Sequence, residues 1–174
     1  MLNSRVLILF IIVLIAAAAR LLPHAPNFTP IAAMALFGGA YFTDKKLAFV
    51  LPLLAMIISD VFLGFHGVMT FVYLCFVITV YMGIRLRNKV SFIPVLGGVL
   101  GSSVLFFIVT NFGVWLTGSW YPRSVEGLIM CYTAAIPFFH YTLAGTMVYS
   151  AILFGGFELL QRKYPLLRYE KVRA

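Results

Sequence analysis

The chain has 174 residues, of which 63% are hydrophobic and only 10% are charged. A water-soluble domain of this length needs far more polar side chains to cover its surface, so the composition excludes a soluble globular protein. It predicts an all-helical integral membrane protein, with one membrane domain over residues 1–174 that is surrounded by lipid.

Six apolar segments are predicted to cross the membrane. The first follows a short basic start and ends in alanines, as a signal peptide does, but further apolar segments follow it and a retained helix is the simpler interpretation. The second would be only about 22 Å long as a helix, less than the roughly 30 Å core of a bilayer. The predicted spans are residues 6–22, 28–42, 47–65, 68–84, 92–116 and 141–160.

A further apolar stretch, residues 127–139, is predicted not to cross the membrane. If it crossed, the basic C-terminal tail would lie on the side opposite to the other basic loops, against the usual rule. Gly127 and Pro137 near the ends of this stretch favour a re-entrant or interfacial segment that leads into the last span.

Lysine and arginine residues set the predicted orientation. If both termini are cytoplasmic, 11 of the 13 Lys and Arg residues lie on the cytoplasmic side, and only Arg20 and Arg123 lie outside. This asymmetry predicts a multi-pass protein of the cytoplasmic (inner) membrane. Because the basic residues lie between and after apolar segments, the net charge of +8 indicates topology and predicts no nucleic-acid partner.

Polar and aromatic residues gather on the predicted outer side. Asp60 lies about one turn from the outer end of the third span, where a carboxylate costs roughly 2.5 kcal/mol or more unless it is paired or hydrated. An ion pair with Arg20 would be a purely structural role, whereas a shallow cavity with apolar walls would be a small-molecule site. The candidate substrate-binding residues are Asn27, Asp60, His66, Asn111, Trp115, Trp120 and Tyr121.

Each of these residues also has a structural interpretation when it is taken alone. His66 can cap a helix end, and Asn111 can bond a neighbouring helix. The tryptophans fit the aromatic belt at a membrane surface. The prediction of a binding site therefore depends on the convergence of all seven residues on one side of the membrane.

The sequence predicts no metal, no cofactor and no catalytic residue. Its three histidines are scattered, and Cys75 and Cys131 lie inside apolar stretches without the spacing of metal ligands. Phosphate-binding loops, nucleophile elbows and zinc-protease motifs are absent from the sequence. An intramembrane enzyme would need Asp60 and His66 as its acid–base pair.

Small residues recur along the second and fifth spans, where they allow helices to approach closely. They serve either packing within the chain or docking onto another membrane subunit. These residues are Ala32, Ala33, Ala35 and Gly39 in the second span, and Gly97, Gly98, Gly101 and Ser102 in the fifth.

Three stretches carry a resemblance to a known family. They are "NFTPIAAMALFGGAYF", "PLLAMIISDVFLGF" and "VLGGVLGSSVLFFIVTNFGVWL". In this order, in a six-span chain of this length, they resemble the substrate-binding S components of energy-coupling factor transporters, and in particular an uncharacterised S-component-like family. The resemblance implies a six-helix bundle that binds a vitamin-like micronutrient in an outward-facing pocket, with a transmembrane coupling subunit and a pair of ATPases as partners.

The resemblance also assigns positions to the candidate residues. Residues 27–30 would border the pocket, the loop with His66 would cap the ligand, and residues 111–121 would form a further wall. The first helix has "AAAAR" where S components often carry Ala-x-x-x-Ala for docking, which departs from the family pattern. The histidine-rich start of metal-specific S components is also missing, which argues against a metal ion as the substrate. Among vitamins, cobalamin is one candidate among several.

A structural or assembly subunit of a larger membrane complex is the alternative function. Its outer face would be filled by its own side chains and would hold no cavity. The uptake hypothesis and the structural hypothesis differ in whether the purified protein carries a bound small molecule.

The predicted topology is tested by cysteine labelling in intact cells. A membrane-impermeant thiol reagent is expected to label Ser119→Cys and to leave Lys45→Cys unlabelled, because the charge asymmetry places these positions on opposite sides. The parent chain is the control for its two native cysteines. The reverse labelling pattern would overturn both the orientation and the outer location of the candidate residues.

Overall fold

The computed structural model describes residues 4–65 and 67–168, and every regular element within these ranges is helical. This confirms the predicted all-helical class. The elements are α1 (Ser4–Ala18), a 3-10 turn (Ala19–Leu21), α2 (Ile31–Tyr41), α3 (Lys45–Leu63), α4 (Met69–Leu86), α5 (Phe92–Thr117), α6 (Val125–Ser150), a π-helical turn (Ala151–Gly155), α7 (Gly156–Lys163) and a second 3-10 turn (Pro165–Leu167).

The apolar helices of this bundle make it a multi-pass membrane protein. Large apolar side chains such as Ile15, Phe62 and Ile152 face outward. This exposure is favourable in the apolar core of a bilayer and unfavourable in water. Helix α2 is apolar but shorter than a span. The helical segments that are long and apolar enough to cross a membrane are Ser4–Leu21, Lys45–Leu63, Met69–Leu86, Phe92–Thr117 and Val125–Lys163.

The prediction of a separate re-entrant or interfacial segment at residues 127–139 is wrong. Helix α6 begins at Val125 and continues through Pro137 without interruption. Its N-cap is Ser124, whose side chain accepts a hydrogen bond from the Gly127 amide at 3.2 Å. Proline is tolerated inside membrane helices because neighbouring groups satisfy the one freed carbonyl. With the π-helical turn and α7, this segment is 39 residues long, about 58 Å, which exceeds the thickness of a bilayer.

Helix α2 forms the centre of the bundle. All of its 11 residues are buried, and it packs against α1, α3, α4, α5 and α6. A helix that is apolar on every side belongs in a protein interior, and the uniform run of alanine, glycine, leucine and phenylalanine in α2 has this character. At about 16 Å it is too short to cross a bilayer by itself.

Close contact between two glycines fixes α2 against α4. A Cβ atom on Gly39 would lie 2.2 Å from the carbonyl oxygen of Val80, and one on Gly83 would lie 2.3 Å from the carbonyl oxygen of Leu36. Both distances are far below van der Waals contact, and the obstacle is backbone that cannot move aside. For Gly39, the small residue therefore serves packing within the chain.

Arginine side chains bind the carbonyl groups at the C-terminal end of α2. Arg5 donates to the Tyr41 carbonyl at 3.1 Å, and Arg87 donates to the Gly39 carbonyl at 2.9 Å and to the Thr43 carbonyl at 2.8 Å. The last carbonyls of a helix have no partner within the helix, and their partial negative charge favours a cation. At the buried residues Gly39 and Tyr41, these contacts satisfy carbonyl groups that would otherwise be buried without hydrogen bonds.

The glycine contact predicts a sharp difference between substitutions. Gly39→Ala and Gly83→Ala should each lower the stability of the purified protein in detergent by about 1–3 kcal/mol or more, because the added methyl group forces the helices apart. Gly97→Ala is the matched control: it lies in α5 with nothing within 4 Å of an added Cβ, and it should be neutral or stabilising by about 0.5–1 kcal/mol. Equal effects on the thermal midpoint at all three positions would contradict the close crossing.

Candidate functional site

The two ends of the bundle differ in chemistry. One end, here called the aromatic end, contains Arg20, Asp60, Trp115 and the loop of residues 118–124. The other, here called the basic end, contains the start of α1, the connections of residues 42–44 and 87–91, and α7. The sequence predicts that the binding residues belong to the aromatic end.

A buried ion pair lies at the aromatic end. The Nη2 atom of Arg20 is 2.7 Å from Oδ1 of Asp60, and the exposed fractions of the two side chains are 8% and 3%. Tyr73 donates its hydroxyl proton to Oδ2 of Asp60 at 2.7 Å. Both oxygens of the carboxylate therefore have a partner, and the structural role considered for Arg20 and Asp60 from the sequence is present.

The same network connects three elements. Arg20 also donates through Nη1 to the Ser59 hydroxyl at 2.5 Å, and Ser59 donates to the Met56 carbonyl at 2.8 Å. Arg20 thereby joins the 3-10 turn after α1 to α3. Tyr73, which lies in α4, connects that helix to the same network. In the described part of the chain, the Nε atom of Arg20 is buried without a hydrogen-bond partner, so one donor of the guanidinium remains for an oxygen atom from outside the network.

Asn27 shapes the backbone of the segment that enters α2. Its φ angle is 65°, a left-handed conformation that asparagine adopts more easily than most residues. The Thr29 amide donates to the Asn27 carbonyl at 3.0 Å, which closes the turn. Gly145 of α6 packs directly beneath, since a Cβ atom there would lie 3.0 Å from the Phe28 Cα atom. The side chain of Asn27 itself is exposed.

Asn111 and Trp115 bond within their own part of the chain. Asn111 donates from Nδ2 to the Phe107 carbonyl one turn earlier at 2.7 Å. Trp115 donates from Nε1 to the Pro122 carbonyl at 2.9 Å. Arg123 donates to the carbonyl of Trp115 and, at 3.0 Å, to that of Gly118. The loop after α5 is therefore folded back onto the end of that helix.

The remaining candidates differ in exposure. Trp120 has 86% of its surface exposed, as suits a residue of an aromatic belt, while Tyr121 is half-buried. His66 lies outside the described residues. The structure thus brings Asp60 together with Arg20 and Tyr73, and it brings Trp115 together with the loop that contains Trp120 and Tyr121.

Two cavities lie at the basic end, where no site is predicted from the sequence. The polar cavity, about 480 Å³, is lined by residues that include Thr43, Asn88 and Gln161. The apolar cavity, about 500 Å³, lies beside it between α5 and the helical segment that ends in α7. None of the six candidate residues that the structure describes lines either cavity. Sequence reasoning missed them because their walls come from positions far apart in the chain.

Among the described residues, no group of three His, Cys, Asp or Glu side chains is placed to hold a metal ion. The thiols of Cys75 and Cys131 are both buried and free. The chemistry that the described residues offer is therefore hydrogen bonding and charge, presented at the two ends of an apolar bundle.

One family model matches residues 1–167, nearly the whole chain. The chain belongs to DUF6580, a family of unknown function. Comparison with curated proteins and with solved structures found no significant match. The match includes both the Arg20–Asp60 network and the two cavities, so all of these features lie within the family domain.

The Arg20–Asp60 pair predicts non-additive effects on stability. Asp60→Asn and Arg20→Met should each destabilise the protein by about 3–5 kcal/mol, because each leaves a buried group without its partner. The double variant Arg20→Met/Asp60→Leu should recover most of that loss, since two apolar side chains need no compensation. Thermal unfolding of the purified protein measures the three variants.

Tyr73→Phe is the control for this experiment. It removes one hydrogen bond to the carboxylate and keeps the ion pair, so the expected loss is smaller, about 1.5–3 kcal/mol. If Arg20→Met/Asp60→Leu were as unstable as the single variants, the stabilities of Arg20 and Asp60 would not be coupled and the prediction would be contradicted.

Proposed function

We propose that the protein takes up a vitamin-like small molecule and binds it at the aromatic end. In this proposal the chain lies in the cytoplasmic (inner) membrane with six membrane-crossing elements, α2 among them. Both termini are cytoplasmic, and the aromatic end faces outward. The resemblance to S components and the distribution of Lys and Arg residues support this arrangement.

The buried charged network formed by Arg20, Asp60 and Tyr73 is the observation that carries the proposal. Ionisable residues inside a membrane bundle are costly, and they often mark substrate or ion pathways. Irregular backbone at membrane depth is tolerated where it is buried in protein or lines a cavity. Here an irregular segment follows Arg20 directly, and Arg20 holds Asp60 at 2.7 Å.

The Nε atom of Arg20 indicates what kind of substrate group would bind. It is a buried donor without a partner among the described residues, and a carboxylate or carbonyl oxygen would complete its hydrogen bonds. Because that atom is buried, a substrate reaches it only after a local rearrangement at the aromatic end.

Energy for uptake must come from another source than this chain. The sequence contains no phosphate-binding loop, so the proposal includes a transmembrane coupling subunit and ATPases as partners. The exposed apolar surface of α1, which includes Leu7 and Ile11, is available for such a subunit.

A structural or assembly role is the second candidate, and one observation favours it. Both oxygens of the Asp60 carboxylate are engaged by Arg20 and Tyr73, and the loop around Arg123 is folded onto α5. An aromatic end that its own side chains fill in this way needs no ligand for stability. The uptake function predicts that the purified protein carries a bound small molecule, and the structural role predicts that it carries none.

The proposal is tested on the full chain purified in mild detergent. Native mass spectrometry should find a bound small molecule, and Asn27→Gly should weaken its binding about tenfold, or about 1.4 kcal/mol. Glycine removes the amide and keeps the left-handed backbone of Asn27, so the loss reports on the side chain and not on strain.

Asn88→Gly is the matched control. Asn88 has nearly the same backbone conformation, with φ of 63°, but lies at the basic end, so this variant should bind as the parent does. Weaker binding in Asn88→Gly alone would place the ligand at the basic end. Absence of any bound molecule, with normal assembly into a larger complex, would support the structural role.

A further inference from the structure

The polar cavity at the basic end has the chemistry of an anion site. It measures about 480 Å³, and two arginines, Arg5 and Arg87, line it. No Asp or Glu is among its described lining residues, so these two guanidinium groups make the potential inside it positive. Neutral hydrogen-bonding side chains complete the polar wall, and these are Thr43, Asn88 and Gln161.

Both arginines are held in place by hydrogen bonds to the backbone. Nη2 of Arg5 donates to the Tyr41 carbonyl at 3.1 Å, and the Cζ atom of Arg5 lies 6.0 Å from the centre of the Phe157 ring. Arg87 donates from Nε and Nη1 to two backbone carbonyls near the end of α2. Carbonyl groups orient a guanidinium group without neutralising its charge. Positioned arginines of this kind are well suited to bind phosphate, because their planar donors match its oxygen atoms.

The two carboxylates at the basic end, within the described residues, have other partners. Asp44 caps the start of α3, where it accepts two backbone hydrogen bonds at 2.6 and 3.1 Å. Glu158 of α7 lies 3.4 Å from Nε of Arg162, one turn further along the same helix. Neither carboxylate lines the polar cavity, so the cavity attracts an anion from outside this part of the chain.

The polar side chains of the wall are open to a ligand. Thr43 and Asn88 are exposed, and Arg87 and Gln161 are half-buried, so each can present hydrogen-bond donors to the cavity. Arg5 is buried and contributes chiefly its charge. These residues come from α1, α7 and the connections that follow α2 and α4. A phosphate group carries its negative charge on several strong acceptor oxygens, so it can engage donors from several segments at once.

We infer that the polar cavity binds a phosphate group, either that of a phospholipid headgroup or that of a soluble phosphate. Its oxygens lie against the guanidinium group of Arg87 and accept hydrogen bonds from the side-chain amides of Asn88 and Gln161. The bound group thereby ties α7 to the connection between α4 and α5. This inference does not rest on the uptake function, because the polar cavity and the candidate uptake site lie at opposite ends of the bundle.

Thermal unfolding of the full chain in a neutral detergent tests the inference, with inorganic phosphate as the probe. Phosphate should raise the unfolding midpoint in a saturable way, measured against sodium chloride at the same ionic strength. At a concentration about tenfold above its Kd, the expected rise is about 3–6 °C. A midpoint that is the same in phosphate and in chloride would overturn the inference.

Two charge variants locate the effect. Gln161→Glu and Asn88→Asp each place a carboxylate in the cavity wall with almost no change in side-chain shape. Each should need at least fivefold more phosphate for half of its effect, because the new carboxylate repels the anion. Neither should unfold below the parent in chloride, since the new carboxylate itself faces the arginines.

Ser119→Asp is the matched control. It makes the same change in net charge at an exposed position of the aromatic end, so its midpoint should respond to phosphate as that of the parent does. A general salt effect of phosphate would act equally on all of these variants. An unchanged phosphate response in both Gln161→Glu and Asn88→Asp would therefore contradict a site in the polar cavity.

Phosphatidylglycerol added to the detergent micelles distinguishes the two sources of the phosphate group. If it raises the midpoint of the parent, and inorganic phosphate then adds nothing, the cavity holds a lipid headgroup. If inorganic phosphate keeps its full effect in the presence of the lipid, the ligand is a soluble phosphate. In either case the rise should be weakened in Gln161→Glu, and a rise from the lipid that this variant retains in full would exclude the headgroup from the cavity.

Discussion

Helix α2 can be buried on all sides only because arginine side chains take up the carbonyl groups at its end. A buried carbonyl without a partner costs about 1–3 kcal/mol, and Arg5 and Arg87 bind two of them, at Tyr41 and Gly39. The glycine contact holds α2 closely against α4, so the last turn of α2 is buried in the bundle and its carbonyl groups depend on protein donors. The outer helices are arranged around that short central element.

Because α2 is short and central, the chain must also be held in place before the N-terminal end of this helix. The chain that leaves α1 must turn back into the centre of the bundle through residues 22–30, which make no helix. The ion pair between Arg20 and Asp60 fixes the point where the chain leaves α1, since it ties that turn to α3. Charged groups therefore lie at both ends of α2 for the same reason: each secures irregular backbone beside a buried helix.

Much of the fold could be predicted from the sequence, since apolar length and hydropathy determine membrane helices. Pro137 was misleading, because a proline next to an apolar run marks a break in soluble proteins but not within a membrane bundle. The Arg20–Asp60 contact could be predicted because both residues lie near the outer ends of their predicted spans, at a similar depth in the membrane. The apolar cavity could not be predicted. Its walls combine residues of α5, such as Val99, with residues of the last helical segment, such as Ser150, and no local sequence pattern indicates that these two segments lie side by side.

The positions of the arginines also bear on the orientation. Arg5 and Arg87 count toward the positive-inside asymmetry, yet both are needed to bind α2 and would be present whichever way the chain inserts. Arg20, on the opposite side, is likewise held by Asp60. When these three structural arginines are set aside, seven of the eight other Lys and Arg residues in the described part of the chain still lie at the basic end. Topology and packing therefore favour the same placement of charge for separate physical reasons, and the asymmetry does not depend on the buried arginines.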